Sequence, residues 1–455
     1  VPSRQDQVHS HQFVVQRVVA AIVARETDPV PSPFRRAAGA ALAGVLVAAL
    51  GVAAAAVYGA LRGGDPSGWR DANAVVIERE SGAKYVYRDD RLHPVLNYAS
   101  ALLIVGSPNP NVVTVPRRIL AGVARGGRYG IPGAPDALPD PARLLHPPWT
   151  VCSQRGESTL SLAEPDEAGS GLDDRVALLV AAPGGEPVMI WGGRRYRVLD
   201  REVVLAALGW SGQSAVPVSA AWLNVLPVGA DLARVPIAGR GRPSSALKGA
   251  KVGQVFVVEN QGGGRVYGVA LPAGLAQITQ VQADLLLSDP ETASLVGQRD
   301  AIRLGPAELT VALRSSLVPG GETAPPETTP ALRRPASGAA LCAAFGPDGI
   351  ARVRIPTVNR PGQAVETRGG PALADHVAVP PGAGAVIEVL ASPGAPSGTL
   401  SLVTDLGVRY PVPSADVLAM LGYGGTAPVR VPAELAALLP AGPGLDPGAA
   451  RAPVS

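Results

Sequence analysis

The sequence predicts an α+β protein: a single transmembrane helix, then an elongated extracytoplasmic part of four hairpin-plus-helix repeats around a central β domain. Three observations carry that prediction. The stretch from Ala37 to Leu61 holds no charged residue and no proline. Four later stretches share one pattern: a β-rich run, a glycine-bearing turn, a second run with a tyrosine, then an apolar segment at helical spacing. Two further stretches break the pattern, and each carries one of the chain's 2 cysteines.

The apolar stretch comes first. At about 1.5 Å per residue, a helix from Ala37 to Leu61 reaches roughly 37 Å. That exceeds the roughly 30 Å hydrocarbon core of a bilayer, so it spans with some tilt and Tyr58 falls near one interface. The alternative is a helix buried in a large soluble core. The stretch is too long, and too far along the chain, for a cleaved signal peptide. Gly44, Ala48, Gly51, Ala55 and Gly59 share one face. Small residues so placed let a neighbouring helix approach closely, although an Ala/Gly-rich segment shows such spacings by chance. Arg35 and Arg36 abut the start, with Arg17 and Arg25 behind them. Arg62, Arg70 and Arg79 on the far side are mixed with Asp65, Asp71 and Glu78. The positive-inside bias therefore puts residues 1–36 in the cytosol and the large C-terminal part outside.

Within 1–36, Val8, Val15, Val18, Val19 and Ile22 form one stripe, with Gln12, Gln16 and Arg17 off it. This is an amphipathic helix over 8–26, placed to lie on the membrane surface or dock on a cytosolic partner. Pro29, Pro31 and Pro33 then end it and stiffen the approach to the span.

Composition sets the style of the rest. Charged residues make 17% of 455 positions, against 54 glycines and 46 prolines, so loops and short strands are favoured over long helices. The net charge is +3. That is too small for nucleic-acid binding, and no basic face interleaved with aromatics is visible.

The repeats fall at 73–106, 188–232, 251–289 and 400–446, with Tyr85, Tyr196, Tyr267 and Tyr410 in their second runs. In the second and fourth, LGW (208–210) and LGY (421–423) close the helical segment and a VP-to-LP stretch follows. Between the repeats lie the two halves of the central domain. The first is 107–187, with PPWTVCSQ and RVALLVAA as strands. The second is 290–399, with AELTVAL, LCAAF, ARVRIP and AVIEVLA. Pro319 to Ser337 reads as a mobile Pro/Thr-rich loop. The chain from Pro440 reads as irregular, with 447–455 a tail. Cys152 and Cys342 fall one in each half. Outside the cytosol an even count argues for one disulfide, with two buried thiols as the alternative. Closing so long a loop contributes about 4–5 kcal/mol in the chain-entropy model.

At this point the residues resemble the EccB family, a membrane component of the type VII (ESX) secretion system of actinobacteria. The resemblance rests on QVHSHQFVVQRVVAAIVARETDP before the span, RLHPVLNYASALLI (91–104), GIPGAPDALP (130–139) and WTVC (149–152). It also rests on ALGW and WLNVLP in the second repeat, and on GVRYPVPSADVLAMLGY and LLPAGPGLDP near the end. The resemblance implies a single-pass inner-membrane protein with a short cytosolic helix and a periplasmic part of four repeats. It implies a disulfide, with the family's cysteines mapping onto Cys152 and Cys342. It implies assembly with further EccB copies and with EccC, EccD and EccE. It makes contact with peptidoglycan conceivable.

That family carries an ATPase description, so the residues must be asked for a nucleotide site. A P-loop needs Gly-x-x-x-x-Gly-Lys followed by Ser or Thr. The lysines are Lys84, Lys248 and Lys251, and none is so followed. Gly262, Gly263 and Gly264 sit where a hairpin turn is expected. His9, His11, His93, His146 and His376 show no metal-ligand spacing, and Asp375–His376 reads as loop. The sequence therefore assigns no catalytic, metal or cofactor residue, with ATP entering only through the family description. The leading expectation is a scaffold subunit. A tethered nucleotide hydrolase without a P-loop and a wall-binding anchor are the alternatives.

Overall fold

The computed structural model describes residues 3–25, 33–62, 68–162, 170–349, 351–356, 364–366, 373–392 and 394–454. Two compact units divide the chain, Val1–Ala74 and Val75–Ser455.

In the first unit a helix spans Arg4–Ala24. Its start is fixed reciprocally: the Asp6 amide donates to the Ser3 hydroxyl at 3.3 Å, and the Ser3 amide donates to the Asp6 carboxylate at 3.2 Å. The apolar stripe stays exposed, Val15 and Ile22 included. A second helix, Pro33–Arg62, contains both Ala37 and Leu61. Pro33 stands at its first position, where a missing N–H costs nothing. Residues Ala38–Ala55 are long and apolar enough to cross a membrane, and none of that window is buried. Of the three prolines expected to stiffen the approach, Pro29 and Pro31 lie outside the described residues.

The second unit holds five sheets. Four of them share one order of elements. Three strands form an antiparallel meander, a helix follows, and a later strand returns beside the first. The meanders are Ala74–Glu78, Lys84–Arg88 and Arg91–Val95; Val176–Ala181, Pro187–Trp191 and Arg194–Arg197; Val255–Glu259, Arg265–Leu271 and Gly274–Ile278; and Ala385–Leu390, Thr399–Val403 and Arg409–Pro411. The helices are Tyr98–Val105, Arg201–Ala207, Gln280–Ser288 and Ala415–Leu418. Three of these start on evident caps: the Asn97 side chain accepts from the Ser100 amide, Thr279 with Gln282 forms a capping box, and the Ser414 side chain accepts from the Val417 amide. The returning strands are Asn111–Val115, Val216–Pro217, Ile302–Arg303 and Val429–Pro432. The last three run parallel to the strand they join.

The fifth sheet has seven strands, and both halves of the chain supply them. In order they are Ala364–Glu366, His376–Ala378, Glu157–Ser161, Trp149–Gln154, Leu341–Phe345, Ala351–Ile355 and Ser170–Gly171. Its apolar face shares one core with residues of the second and fourth meander sheets, among them Leu178, Ile190, Ile387 and Val403. The first and fourth meander sheets share another core, and helix Gln280–Ser288 of the third sheet sends Val281 and Leu285 into the core of the second.

Several expectations are corrected here. RVALLVAA and AVIEVLA were expected in the central domain. Instead Val176–Ala181 and Ala385–Leu390 open the second and fourth meanders, pairing with Pro187–Trp191 and Thr399–Val403. They are first strands held between two neighbours, and apart from Glu388 they read as apolar runs with no alternation to mark their sheet. In consequence Tyr196 and Tyr410 lie in third strands, whereas Tyr85 and Tyr267 lie in second strands. AELTVAL was expected as a strand. Pro306–Ala312 is a helix, begun by Pro306 at its first position and by the Gly305 amide donating to the Glu308 carboxylate at 3.0 Å. The stretch from Pro319 to Ser337, expected as a mobile loop, is bonded to its neighbours, the Ala230 amide donating to the Thr323 carbonyl at 2.8 Å and the Thr329 hydroxyl to Asp284 at 2.7 Å. The end of the chain is docked too: Leu445 and Ala450 are buried with the first helix of this unit, and the Val454 amide donates to the Arg128 carbonyl at 2.9 Å.

Candidate functional site

The seven-stranded sheet is where the two predicted cysteines meet. Cys152 lies in Trp149–Gln154 and Cys342 in Leu341–Phe345, antiparallel neighbours in which the two residues stand directly opposite. A disulfide joins them across a Cα separation of 4.0 Å. Alternation along the strands explains the placement. Trp149, Val151, Leu341, Ala343 and Phe345 point into the apolar core, so the bridge sits on the opposite face. The buried Ser153 hydroxyl accepts from the Ser219 amide at 2.9 Å, tying this sheet to the start of helix Ala220–Asn224. At the sheet's other side Asp375, expected in a loop, anchors a strand. Its carboxylate accepts from the Ser158 amide at 2.7 Å and hydroxyl at 2.6 Å, and its own amide donates back to that hydroxyl at 3.0 Å. His376 begins the strand so anchored, 3.7 Å from Glu157. This arrangement joins strands; the serine hydroxyl is spent on Asp375 and is not presented to the imidazole.

The glycines considered for phosphate binding form a turn. Gly262, Gly263 and Gly264 link Val255–Glu259 to Arg265–Leu271, with the Gly263 amide donating to the Asn260 carbonyl and the Asn260 amide to the Gly264 carbonyl. Lys84 pairs with Asp136 at 2.8 Å on the first meander. Lys248 and Lys251 are exposed on the approach to the third. His9 and His11 are exposed on the first helix and His146 is exposed in a loop. His93 is buried, stacked on Tyr129 at 4.9 Å, with its Nδ1 3.1 Å from the Gly127 carbonyl. Among the described residues, no group of three or more metal-ligating side chains comes together. An open groove of about 550 Å³ runs beside helix Pro306–Ala312, walled by Ser245, Leu247, Glu308 and Arg314.

Two features escaped the sequence reading. The first is a ring laid against a glycine in three of the four meander sheets. In each, residue X of the third strand donates its amide to a carbonyl on a later segment and accepts from a glycine amide two residues on. X is Leu92 with Ala124 and Gly126, Arg195 with Pro227 and Gly229, and Arg409 with Pro440 and Gly442. The residue after X is aromatic: His93, Tyr196 or Tyr410. A Cβ at Gly126, Gly229 or Gly442 would fall inside that ring. VLPVG (225–229) and LLPAG (438–442) carry the signal, which pointed at the segment but not at its aromatic partner.

The second is a buried ion cluster. Asp289 is 1% exposed, and Arg240, 5% exposed, reaches it at 2.6 Å; Arg234 reaches it at 3.0 Å from a wetter position. Burial works against ionisation of Asp289, but the Arg240 guanidinium, the Glu291 amide and Arg234 outweigh it and hold the carboxyl below its ordinary range. Arg240 also donates to the Thr292 hydroxyl and the Val235 carbonyl, so all its work is internal. Asp284 shows the opposite balance. Burial pushes its carboxyl up, while hydrogen bonds from the Thr329 hydroxyl and the Gln280 side chain pull the other way.

Comparison with known proteins places the chain in a family. The family profile described as "Type VII secretion system ESX-1, transport TM domain B" matches residues 1–454. The ESX-3 secretion system ATPase EccB3 of Mycolicibacterium smegmatis is 29% identical over 474 residues, covering 97% of this chain and 89% of that protein. The ESX-2 secretion system ATPase EccB2 of Mycobacterium tuberculosis is 34% identical over 300 residues, covering 63% of this chain and 59% of that protein. Among solved structures, a chain of the EccB3 dimer from the ESX-3 core complex is similar at a TM-score of 0.67 and 28% identity, over 83% of this chain and 100% of that one. A chain of an intact ESX-5 inner membrane complex is similar at a TM-score of 0.66 and 27% identity, over 100% of this chain and 96% of that one. Matched along its whole length in sequence and in fold, this chain belongs to the EccB family of type VII secretion proteins.

Proposed function

We propose that this chain is a structural subunit of an ESX inner-membrane complex, holding other subunits in place for protein export while a partner ATPase supplies the energy. The observation that carries the reading is the similarity over the full chain to a chain inside an intact ESX-5 inner membrane complex. In this reading the span from Ala37 to Leu61 anchors the protein, residues 1–36 face the cytosol, and the large second unit faces the periplasm. The second unit is four repeats, at 74–129, 176–232, 255–316 and 385–445, around the seven-stranded sheet as central domain. The ring-on-glycine contact in three of the four supports that division. The partners are EccC, EccD, EccE and further copies of this chain. The test is purification of the tagged full-length chain from membranes: copurification with EccC, EccD and EccE supports the reading, and recovery of the chain alone opposes it. Protease added to intact spheroplasts is expected to digest the C-terminal part and spare residues 1–36.

The relatives' names favour a second reading, nucleotide hydrolysis. Its test is ATP turnover by the purified second unit, lost on substitution at one defined pocket. Specific sedimentation of the second unit with peptidoglycan tests the wall-anchor alternative.

A further inference from the structure

The third meander sheet is the least integrated part of the second unit. It has two cores of its own, one around Val255, Val269 and Leu286, which shares only the partly buried Val235 with the second sheet's core among the described residues, and one around Phe256, Leu275 and Leu309. Among the described residues it reaches the second sheet's core through the buried side chains Val281 and Leu285, where helix Gln280–Ser288 lies against helix Arg201–Ala207, with Val235 packed on both cores and Arg234 pairing with Asp200 and Asp289 at the end of that contact. Two helices meeting along one line leave a rolling freedom about that line. An anchor away from the line removes it.

The segment leaving the third sheet supplies such anchors, alternately on the two sheets. It departs with the Leu317 amide donating to the Gln277 carbonyl and the Gln282 side chain donating to the Leu317 carbonyl, both on the third sheet's side. It crosses to the second sheet, where the Ala230 amide donates to the Thr323 carbonyl at 2.8 Å and the Tyr196 hydroxyl to the Ala324 carbonyl at 3.0 Å. It returns to the third, where the Val281 amide donates to the Glu327 carbonyl at 3.3 Å and the Thr329 hydroxyl donates to Asp284 at 2.7 Å. It crosses once more, and Ala331–Leu332 lies parallel to Val176 and Ala177. Pro326 and Pro330 are buried along the way. Prolines stiffen such a path because they restrict the free chain. The composition that reads as a loose loop is therefore that of a strap.

We infer that residues 317–333 are a locking strap which holds the third sheet in one orientation on the second, and that the Tyr196 and Thr329 hydroxyls are two of its side-chain fasteners, beside Gln282 on the Leu317 carbonyl and Arg194 on Glu322. The lock acts on orientation; each sheet keeps its own fold without it. Tyr196→Phe removes one fastener while keeping the ring on Gly229. Thr329→Val removes the other without changing side-chain size. The test is hydrogen exchange on the full-length chain in detergent, comparing the double variant with the parent. The Ala230 and Val281 amides, which bond strap carbonyls, are expected to exchange at least tenfold faster. Peptides within 255–271 are expected to stay within twofold of the parent, and Thr329→Ser in the Tyr196→Phe background is expected to restore most of the protection at Val281. Unchanged exchange at Ala230 and Val281 would overturn the inference. So would equal acceleration across 255–271, which would mean that the segment supports the sheet's fold rather than its orientation.

Discussion

At the scale of single residues, two devices add to the apolar cores: aromatic rings set against glycine and one cluster of buried charge. Adding a methyl at Gly229 or Gly442 forces the ring of Tyr196 or Tyr410 off its seat. Overpacking of this kind costs about 1–3 kcal/mol. Gly229→Ala and Gly442→Ala are therefore expected to lower the Tm of the second unit by several degrees. Gly262→Ala, in a turn with open space around it, is expected to leave it unchanged. Asp289→Asn would leave the Arg240 guanidinium buried beside a neutral amide. Breaking a buried pair in that way costs about 3–5 kcal/mol, and the half-exposed Arg234 argues for the lower end, measured by urea unfolding at pH 7. The pH dependence follows from the sign of the shift. The folded Asp289 carboxyl titrates below the unfolded value of about 3.9. Its contribution is present above that value and is lost as pH falls through the lowered folded one. The parent's advantage over Asp289→Asn should thus persist at pH 5 and shrink below about pH 4; an advantage independent of pH down to 3 would refute the assignment. Neither device was legible in the sequence. Arg240 lies 49 residues from Asp289, and a ring pairs with a glycine some 30 residues on, distances over which no local spacing rule operates.

At the scale of elements, the legible parts were those with local signatures. The uncharged span from Ala37 to Leu61 lies inside one helix. Gly262–Gly264 make the expected turn, and Cys152 and Cys342 stand on neighbouring strands. What failed was the assignment of strands to sheets. VALLV is apolar throughout and AVIEV is broken only by Glu388, so their composition announces a strand without saying which neighbour it joins. The start of helix Pro306–Ala312 was readable in Gly305, Pro306 and Glu308, but the β-like TVAL that follows outweighed it. The disulfide acts at this scale as well. It joins strands 190 residues apart in sequence, so breaking it frees a long loop in the unfolded chain. In the chain-entropy model that costs about 4–5 kcal/mol. Cys152→Ser with Cys342→Ser is expected to lower the urea midpoint of the second unit. A midpoint unchanged from the oxidised parent would show that the sheet does not need its staple.

At the scale of the whole molecule, the second unit is bound together by shared cores rather than by one central core. The first and fourth meander sheets share apolar residues, the third feeds the second, and the seven-stranded sheet shares a core with the second and fourth. The last residues close the circuit, with Val454 bonded to Arg128. Such a body presents several sheet units at fixed positions, which is what a subunit that holds others in place requires. The composition fits: 54 glycines and 46 prolines serve short strands and close approaches, and the buried Asp289 and Arg240 satisfy one another. The most direct measurement is affinity purification of the full-length chain from detergent-solubilised membranes, beside a version lacking residues 37–61, with ATP turnover assayed on the purified chain alone. The account predicts a large assembly containing EccC, EccD and EccE with the full-length chain, its loss with the truncated one, and no turnover by the isolated protein. A full-length chain that purifies alone and hydrolyses ATP by itself would contradict it.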